Sequence, residues 1–296
     1  MSLLHLSDVH VTDPESAIAQ FADGEHRLEA VVDHVVEAGV PLDAVVLTGD
    51  LVDHGTPQEY ERLLAQLRRL PCPWFPLPGN HDDRGQLRLA LGAHTPAPLP
   101  GDGPCNYAVD LPLAAGGEVR LVMVDSSQPE SHDGRWTQPT LDWIERTLGA
   151  GPDRTTFVFT HHPPVPTGLW HMDYGGAHGG DALERVVAAH PQVELVACGH
   201  VHRRLVLRWA GTILSCAPAL TYLSEALLDE DDEPTLHAGL PELPLYRLVD
   251  GRLLLDSLDW HPDRVRVPMR LALGDAWPEY EAAARSGVLP RRATGH

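Results

Sequence analysis

Short apolar runs recur along the chain, and several of them stop at a small cluster of polar residues. Residues 3–6, 43–50, 74–77, 119–124, 156–160 and 193–198 each have the length and apolar content of one buried strand. Between them the apolar positions change to helical spacing. Leu28, Val31, Val32, Val35 and Val36 predict a helix over 24–39. Thr56-Pro57-Gln58-Glu59 supplies an N-cap threonine, a proline at the first helical position and a capping-box glutamate, so a second helix runs to about residue 70. Residues 137–148 and 181–190 read as two more. Strand, polar loop and helix alternate as βαβ units, which predicts an α/β fold with largely parallel pairing.

The C-terminal part reads differently. Residues 205–217 suggest two strands joined at Ala210-Gly211, and 246–258 a hairpin around Asp250-Gly251. Residues 92–104, rich in proline and glycine, predict a surface loop. The acidic run 229–233 predicts a solvated loop, and the chain from about Ser286 is expected to fray.

The polar clusters carry the chemistry. Asp8-Val9-His10 follows the first strand, Gly49-Asp50 the second and Gly79-Asn80-His81-Asp82 the third. His161-His162-Pro163-Pro164 and Gly199-His200-Val201-His202 end two later strands. In open α/β sheets ligands bind at that edge. Asp8 and His10, and again His200 and His202, are two residues apart, so in extended chain each pair points to one side. Adjacent His161 and His162 then face opposite ways, and only one of them is a ligand. Alone, Asp-x-His reads more readily as a turn aspartate beside a surface histidine. Asp125, ending the strand at 124, reads as a strand-end cap.

Together the clusters offer two carboxylates, one amide and three or four imidazoles. Hard oxygen mixed with borderline nitrogen suits Mn, Fe, Co or Zn rather than Ca or Cu(I). Seven donors exceed one tetrahedral site and suit two ions sharing a carboxylate, with Asp50 the natural bridge. Two divalent cations against Asp8 and Asp50 leave a positive surplus, which attracts an anionic substrate and acidifies bound water.

Composition narrows the partners. Basic residues number 22 against 42 acidic ones, a formal net charge of -20. Such a surface repels nucleic-acid backbone and anionic membrane. All the basic residues are arginine, which excludes a catalytic lysine or a Walker-type phosphate loop. The N-terminus lacks the form of a signal peptide and no apolar run reaches membrane-spanning length, so a cytoplasmic protein is expected. Four cysteines, widely spaced, are expected to be mostly buried thiols.

Asp8-x-His10, Gly49-Asp50, Gly79-Asn80-His81-Asp82, His161 and Gly199-His200-x-His202 resemble the full signature of the calcineurin-like metallophosphoesterases. Within them, the His-His-Pro-Pro-x-Pro segment is similar to class III cyclic nucleotide phosphodiesterases and bacterial glycerophosphodiesterases. The resemblance implies a four-layer αββα sandwich of two mixed β-sheets flanked by helices. It places Asp8, His10, Asp50 and His202 on one di- or trivalent metal and Asp50, Asn80, His161 and His200 on the other. It implies in-line attack of hydroxide on phosphorus, with His81 stabilising the transition state and protonating the leaving oxygen.

The implied activity is hydrolysis of a small phosphodiester, a 3′,5′-cyclic nucleotide such as cAMP or a glycerophosphodiester. A phosphomonoesterase or pyrophosphohydrolase would share the same metals. A non-catalytic scaffold would show eroded ligands, and none is missing. A nuclease would need a basic groove. Residues 1–218 are expected to form the catalytic core and 219–296 an extension acting as a cap or dimer contact, making a homodimer possible. Trp170-His171-Met172-Asp173 is a candidate pocket segment. Arg203 and Arg204 read either as phosphate contacts or as a solvated strand end.

Overall fold

The computed structural model describes residues 1–92, 101, 103–113, 116–174, 176–226, 232–261 and 268–286. Along the chain its principal elements are β1 (Ser2–Leu6), α1 (Gly24–Glu37), β2 (Ala44–Thr48), α2 (Pro57–Leu67), β3 (Trp74–Leu77), α3 (Arg84–Leu91), β4 (Tyr107–Pro112) and β5 (Glu118–Val124). There follow α4 (Gln138–Gly149), β6 (Thr156–Thr160), α5 (Gly180–Ala188), β7 (Val193–Cys198), β8 (Leu205–Trp209), β9 (Thr212–Cys216), β10 (Leu243–Val249) and β11 (Arg252–Leu258).

Two mixed sheets result. One has the order β11-β10-β1-β2-β3 and the other β8-β9-β7-β6-β5-β4. β1, β2 and β3 run parallel, as do β5, β6, β7 and β9, while β10, β11, β8 and β4 pair antiparallel with their neighbours. Alternation along the strands explains the layering. On β2, Val45 and Leu47 pack against α1, α2 and α3, whereas Ala44 and Val46 turn toward the second sheet. On β6, Phe157 and Phe159 enter that inter-sheet core and Val158 packs with α4 and α5. The period of two thus yields four layers, helix, sheet, sheet and helix, as expected. Each fully buried phenylalanine contributes about 2–3 kcal/mol.

α2 begins with the anticipated capping box, Thr56 Oγ1 accepting from Glu59 N while the Glu59 carboxylate accepts from Thr56 N. Sequence reading did not anticipate α3 or β4, and it began the final hairpin three residues late. Most of the 92–104 loop, most of the acidic run and the segment beyond residue 286 lie outside the described residues. A compact unit covers Met1–Trp260, and His261–His296 forms a second one containing the helices Met269–Leu273 and Trp277–Ser286. No described helix is long and apolar enough to cross a membrane.

Candidate metal centre

β1, β2, β3, β6 and β7 all point their C-terminal ends to one edge. They deliver Asp8, Asp50, Asn80, His161 and His200 there in turn. The two-residue spacing works by a different geometry from the extended chain expected above. Asp8 (φ 51°), His10 (φ 48°), Asp50 (φ 47°), His200 (φ 68°) and His202 (φ 51°) all lie in the left-handed region. Tight turns, rather than strand alternation, bring both members of each pair inward. Each such residue costs about 1–2 kcal/mol, and backbone hydrogen bonds hold the turns: Asp8 N donates to Gly49 O at 3.0 Å and His10 N to Asp50 O at 2.9 Å. Glycine is needed where these turns touch. A Cβ on Gly79 would stand 2.4 Å from Asp50 N, and one on Gly199 only 1.7 Å from Ser7 Oγ.

Asp8, His10, Asp50 and His202 form one buried group whose ligand atoms lie within 4.8 Å of one another, and His161, His162 and His200 form a second. His161 also reaches Asp50 at 3.5 Å, and Asp50 lies 3.7 Å from His10. Asn80 Oδ1 sits 3.1 Å from His161 Nε2. All seven candidate donors therefore meet at one edge, with Asp50 between the two groups.

The protonation pattern tests whether cations fit. His10 Nδ1 donates to the Asp53 carboxylate at 3.0 Å, His202 Nδ1 to Tyr222 O at 3.0 Å, and His161 Nδ1 to Thr48 O at 2.7 Å. These acceptors fix the tautomers and leave each Nε2 as a bare lone pair. Yet His10 Nε2 and His202 Nε2 face each other at 3.3 Å, and His161 Nε2 faces an amide oxygen. Two acceptors at such separations need a positive charge between them. A proton can serve, and burial of His161 is outweighed by the Asp50 charge, which lifts its pKa to about 9. A divalent cation serves both places at once, and the donor set matches Mn, Fe, Co or Zn. Burial and the His161 charge push His200 down to about 4, keeping it a neutral ligand.

His81 lies beside the donors, its ring 4.7 Å from that of His10 between centroids, and forms a third close group with His10 and Asp53. Its Nδ1 donates to Asp53 O at 3.0 Å, and its backbone N–H donates to Asp50 Oδ1 at 2.9 Å. Burial disfavours its charge, but hydrogen bonding to Asp53 and the charge of Asp50 overcome this and hold the pKa up to about 10. With Nδ1 engaged, Nε2 is the nitrogen left for a ligand. His81 lines a pocket of about 440 Å³ together with His10, Asp50, Asn80, His200 and His202.

Three residues that sequence reading passed over, Asp53, His132 and Tyr222, complete the arrangement together with Asp82, the last residue of the Gly-Asn-His-Asp motif. Asp53 orients both His10 and His81, and its position three residues after Asp50 was the available signal. His132 lines the pocket, its Nδ1 3.0 Å from Asn80 Nδ2. Asp82 secures the Asn80 turn by accepting from Gly79 N at 2.8 Å, Leu51 N at 3.1 Å and Tyr60 OH at 2.8 Å. Tyr222, behind His10 and His202, comes from a segment without any motif.

Other expectations fall into place around these. His162 Nδ1 lies 2.9 Å from Ser126 Oγ, and its ring packs against those of His161 and His200, 4.6 and 4.5 Å between centroids. Asp125 is the strand-end cap anticipated, accepting from Ser127 N at 2.9 Å and Cys105 N at 2.8 Å, and it also pairs with Arg84 at 2.7 Å. His171 and Met172 line the pocket, while Trp170 is exposed. Cys105, Cys198 and Cys216 are buried free thiols and Cys72 is half-buried.

The family model for calcineurin-like phosphoesterases matches residues 1–204. The chain belongs to that family. Its members use a dinuclear metal centre, in keeping with two donor groups between which Asp50 lies, 3.7 Å from His10 and 3.5 Å from His161. The chain is 31% identical over 251 residues to a glycerophosphodiester phosphodiesterase of Enterobacter lignolyticus, covering 84% of this chain and 87% of that protein. It is 32% identical over 248 residues to a probable cyclic nucleotide phosphodiesterase of a Synechococcus species, covering 83% and 88%. Among solved structures, a dimetal phosphatase from Danio rerio superposes with a TM-score of 0.64 at 16% identity, covering 87% and 95% of the two chains. That likeness shows the shared fold.

Proposed function

We propose that this phosphoesterase hydrolyses small phosphodiesters, with Asp8, His10, Asp50 and His202 holding one cation and Asp50, Asn80, His161 and His200 the other. The observation carrying the reading is His81, on the wall of the pocket with Nδ1 fixed by Asp53 O and Nε2 left for a ligand. When bound, the cations supply Lewis acidity toward the phosphate and acidify water. His81 gives its Nε2 proton to the leaving oxygen, a step that matters most for an alkoxide that leaves poorly. Asp53 holds that imidazole in register and favours its charged form. Asn80, bonded to His132, keeps its amide oxygen directed at His161 rather than at the solvent.

Pocket size and lining bear on the substrate. About 440 Å³ suits a small molecule. Met172, Tyr174, Tyr222 and Leu236 form an apolar and partly aromatic wall, which favours a diester carrying a planar base over one carrying glycerol. The names of the relatives, cyclic nucleotide and glycerophosphodiester phosphodiesterases, support a diester of one of these classes.

Hydrolysis of 3′,5′-cAMP, glycerophosphoethanolamine, bis(p-nitrophenyl) phosphate and p-nitrophenyl phosphate, measured side by side with Mn²⁺ after chelation, tests the reading. Diesters should be preferred, with cAMP the better natural substrate. His81→Ala should lose about 100-fold or more on cAMP and less on p-nitrophenyl esters. Turnover of the monoester alone would make the enzyme a phosphomonoesterase, and equal losses on all substrates would remove the acid role from His81.

A further inference from the structure

Several partly buried arginines of this chain are matched. Arg84 meets Asp125 at 2.7 Å, Arg120 meets Asp110 at 2.8 Å, and Arg27 donates to backbone carbonyls of Leu220, Thr221, Ala238 and Gly239. Arg204 differs. Its Nη1 is shut off from solvent and has no hydrogen-bond partner among the described residues. A buried donor left unpaired costs about 1–3 kcal/mol, and more on a charged group. Such a group calls for a partner that the described residues do not supply.

Arg204 and its neighbour Arg203 line a second cavity, of about 260 Å³, along with His237. Arg203 is only lightly engaged, donating one Nη1 bond to Ser224 O at 3.0 Å. Neither guanidinium meets a carboxylate among the described residues, although the chain carries 42 acidic groups against 22 basic ones. Two arginines side by side against the single carboxylate of Glu242 make the described wall of this cavity locally positive. His202 and Ser224 belong to the walls of both cavities, so this one adjoins the pocket at the metal centre.

We propose that this second cavity binds a phosphate-sized oxyanion on Arg203 and Arg204. The fork of a guanidinium matches a tetrahedral oxyanion through paired N–H donors, and an anion in this cavity offsets the charge that Arg203 and Arg204 bring to its wall. Glu242, on the same cavity, accepts a hydrogen bond from Ser257 Oγ at 3.3 Å and sets a limit on the negative charge admitted. The site stands independently of the phosphodiesterase reading, because its anion contacts the arginines and not the metal donors.

Calorimetric titration of inorganic phosphate into the full-length protein, once after chelation and once loaded with Mn²⁺, tests this. The chelated protein should bind one phosphate. Arg204→Gln should weaken that binding by about tenfold or more, and Glu242→Gln should strengthen it about threefold. In the loaded protein any phosphate at the metal centre should be insensitive to Arg204→Gln. Absence of binding after chelation, or equal affinity in Arg204→Gln, would overturn the proposal and leave Nη1 to a water molecule. Kinetics of loaded Arg204→Gln then separates two sources of the oxyanion. A raised KM confined to substrates with a second phosphate assigns it to the substrate, and an unchanged KM throughout assigns it to free phosphate.

Discussion

The two ends of the central strands are built on opposite terms. At their C-terminal ends, polar groups are buried, bonded to one another and carried on left-handed turns. His161 is fully buried, Asp8 is fully buried and Asp50 is 2% exposed. At the N-terminal ends of β5 and β6 the charges sit near the surface in simple pairs, Arg120 with Asp110 at 2.8 Å and Arg154 with Asp110 and Glu118. The first end stores strain and desolvation that only a bound charge repays, whereas the second collects a modest Coulombic gain at little cost. Sites of function are expected where local rules are broken together, and the C-terminal edge breaks several.

The sharpest way to break this contrast is Asp50→Asn. Asp50 lies between both donor groups, so removing its charge should release cation from each. Turnover should fall by about 10³-fold or more, and metal analysis should show less than full loading. An active, fully loaded variant would mean that Asp50 bridges nothing.

The contrast also explains what could be read in advance. Asp8, His10, Asp50, Asn80, His81, His161, His200 and His202 were legible because strand ends announce themselves by apolar runs stopping at polar residues. The backbone turning at Asp8 and His200 was not, since positive φ at a non-glycine residue is decided by what surrounds it. Asp53 and His132 were missed for a related reason. They serve residues distant in sequence, and a lone aspartate or histidine in a loop carries no periodicity. Tyr222 lies in a segment without motif, and only the fold brings it behind His10.

A smaller effect should come from Asp53→Asn, which leaves the cation donors in place. Its carboxylate holds His10 and raises the pKa of His81, so the variant should lower kcat about 10–100-fold. Removing a charge that favours imidazolium lowers the pKa of His81, and the alkaline limb of the kcat profile should therefore move to lower pH. Bound cations push that limb below the value of about 10 in both proteins. A drop in rate with an unmoved limb would show that Asp53 only braces the fold.

Beneath the site, a buried polar chain crosses between the sheets. Tyr246 OH lies 3.1 Å from Ser215 Oγ and 3.0 Å from His5 Nδ1, and His5 Nε2 lies 2.8 Å from Thr48 Oγ1. Burial pushes His5 down to about 3, so it stays neutral and bonds at both nitrogens. Tyr246→Phe takes the partner from His5 Nδ1 and Ser215 Oγ and should cost about 1–3 kcal/mol in urea unfolding at an unchanged m-value. A loss under about 0.5 kcal/mol would mean that water has taken over the hydroxyl's place.

The opposite end yields the smallest change and the clearest sign. The hydrogen bond from Arg120 is the main cause that lowers the Asp110 pKa to about 2; burial opposes it, and the hydrogen bond from Arg154 adds to the lowering. A depressed folded-state value means that the stabilisation is complete above the unfolded pKa, about 3.9, and fades as pH falls toward about 2. Because Asp110 is exposed, solvent screening cuts the gain to about 1 kcal/mol or less. Asp110→Asn should thus be destabilised by that amount at neutral pH, and the gap to the parent protein should narrow between about pH 4 and pH 3. It should also shrink in high salt, which screens surface pairs but leaves the buried chain at Tyr246 untouched. A gap that ignored both pH and salt would place the effect in packing of β4 against β5, and the two ends of the strands would then differ less than their charges suggest.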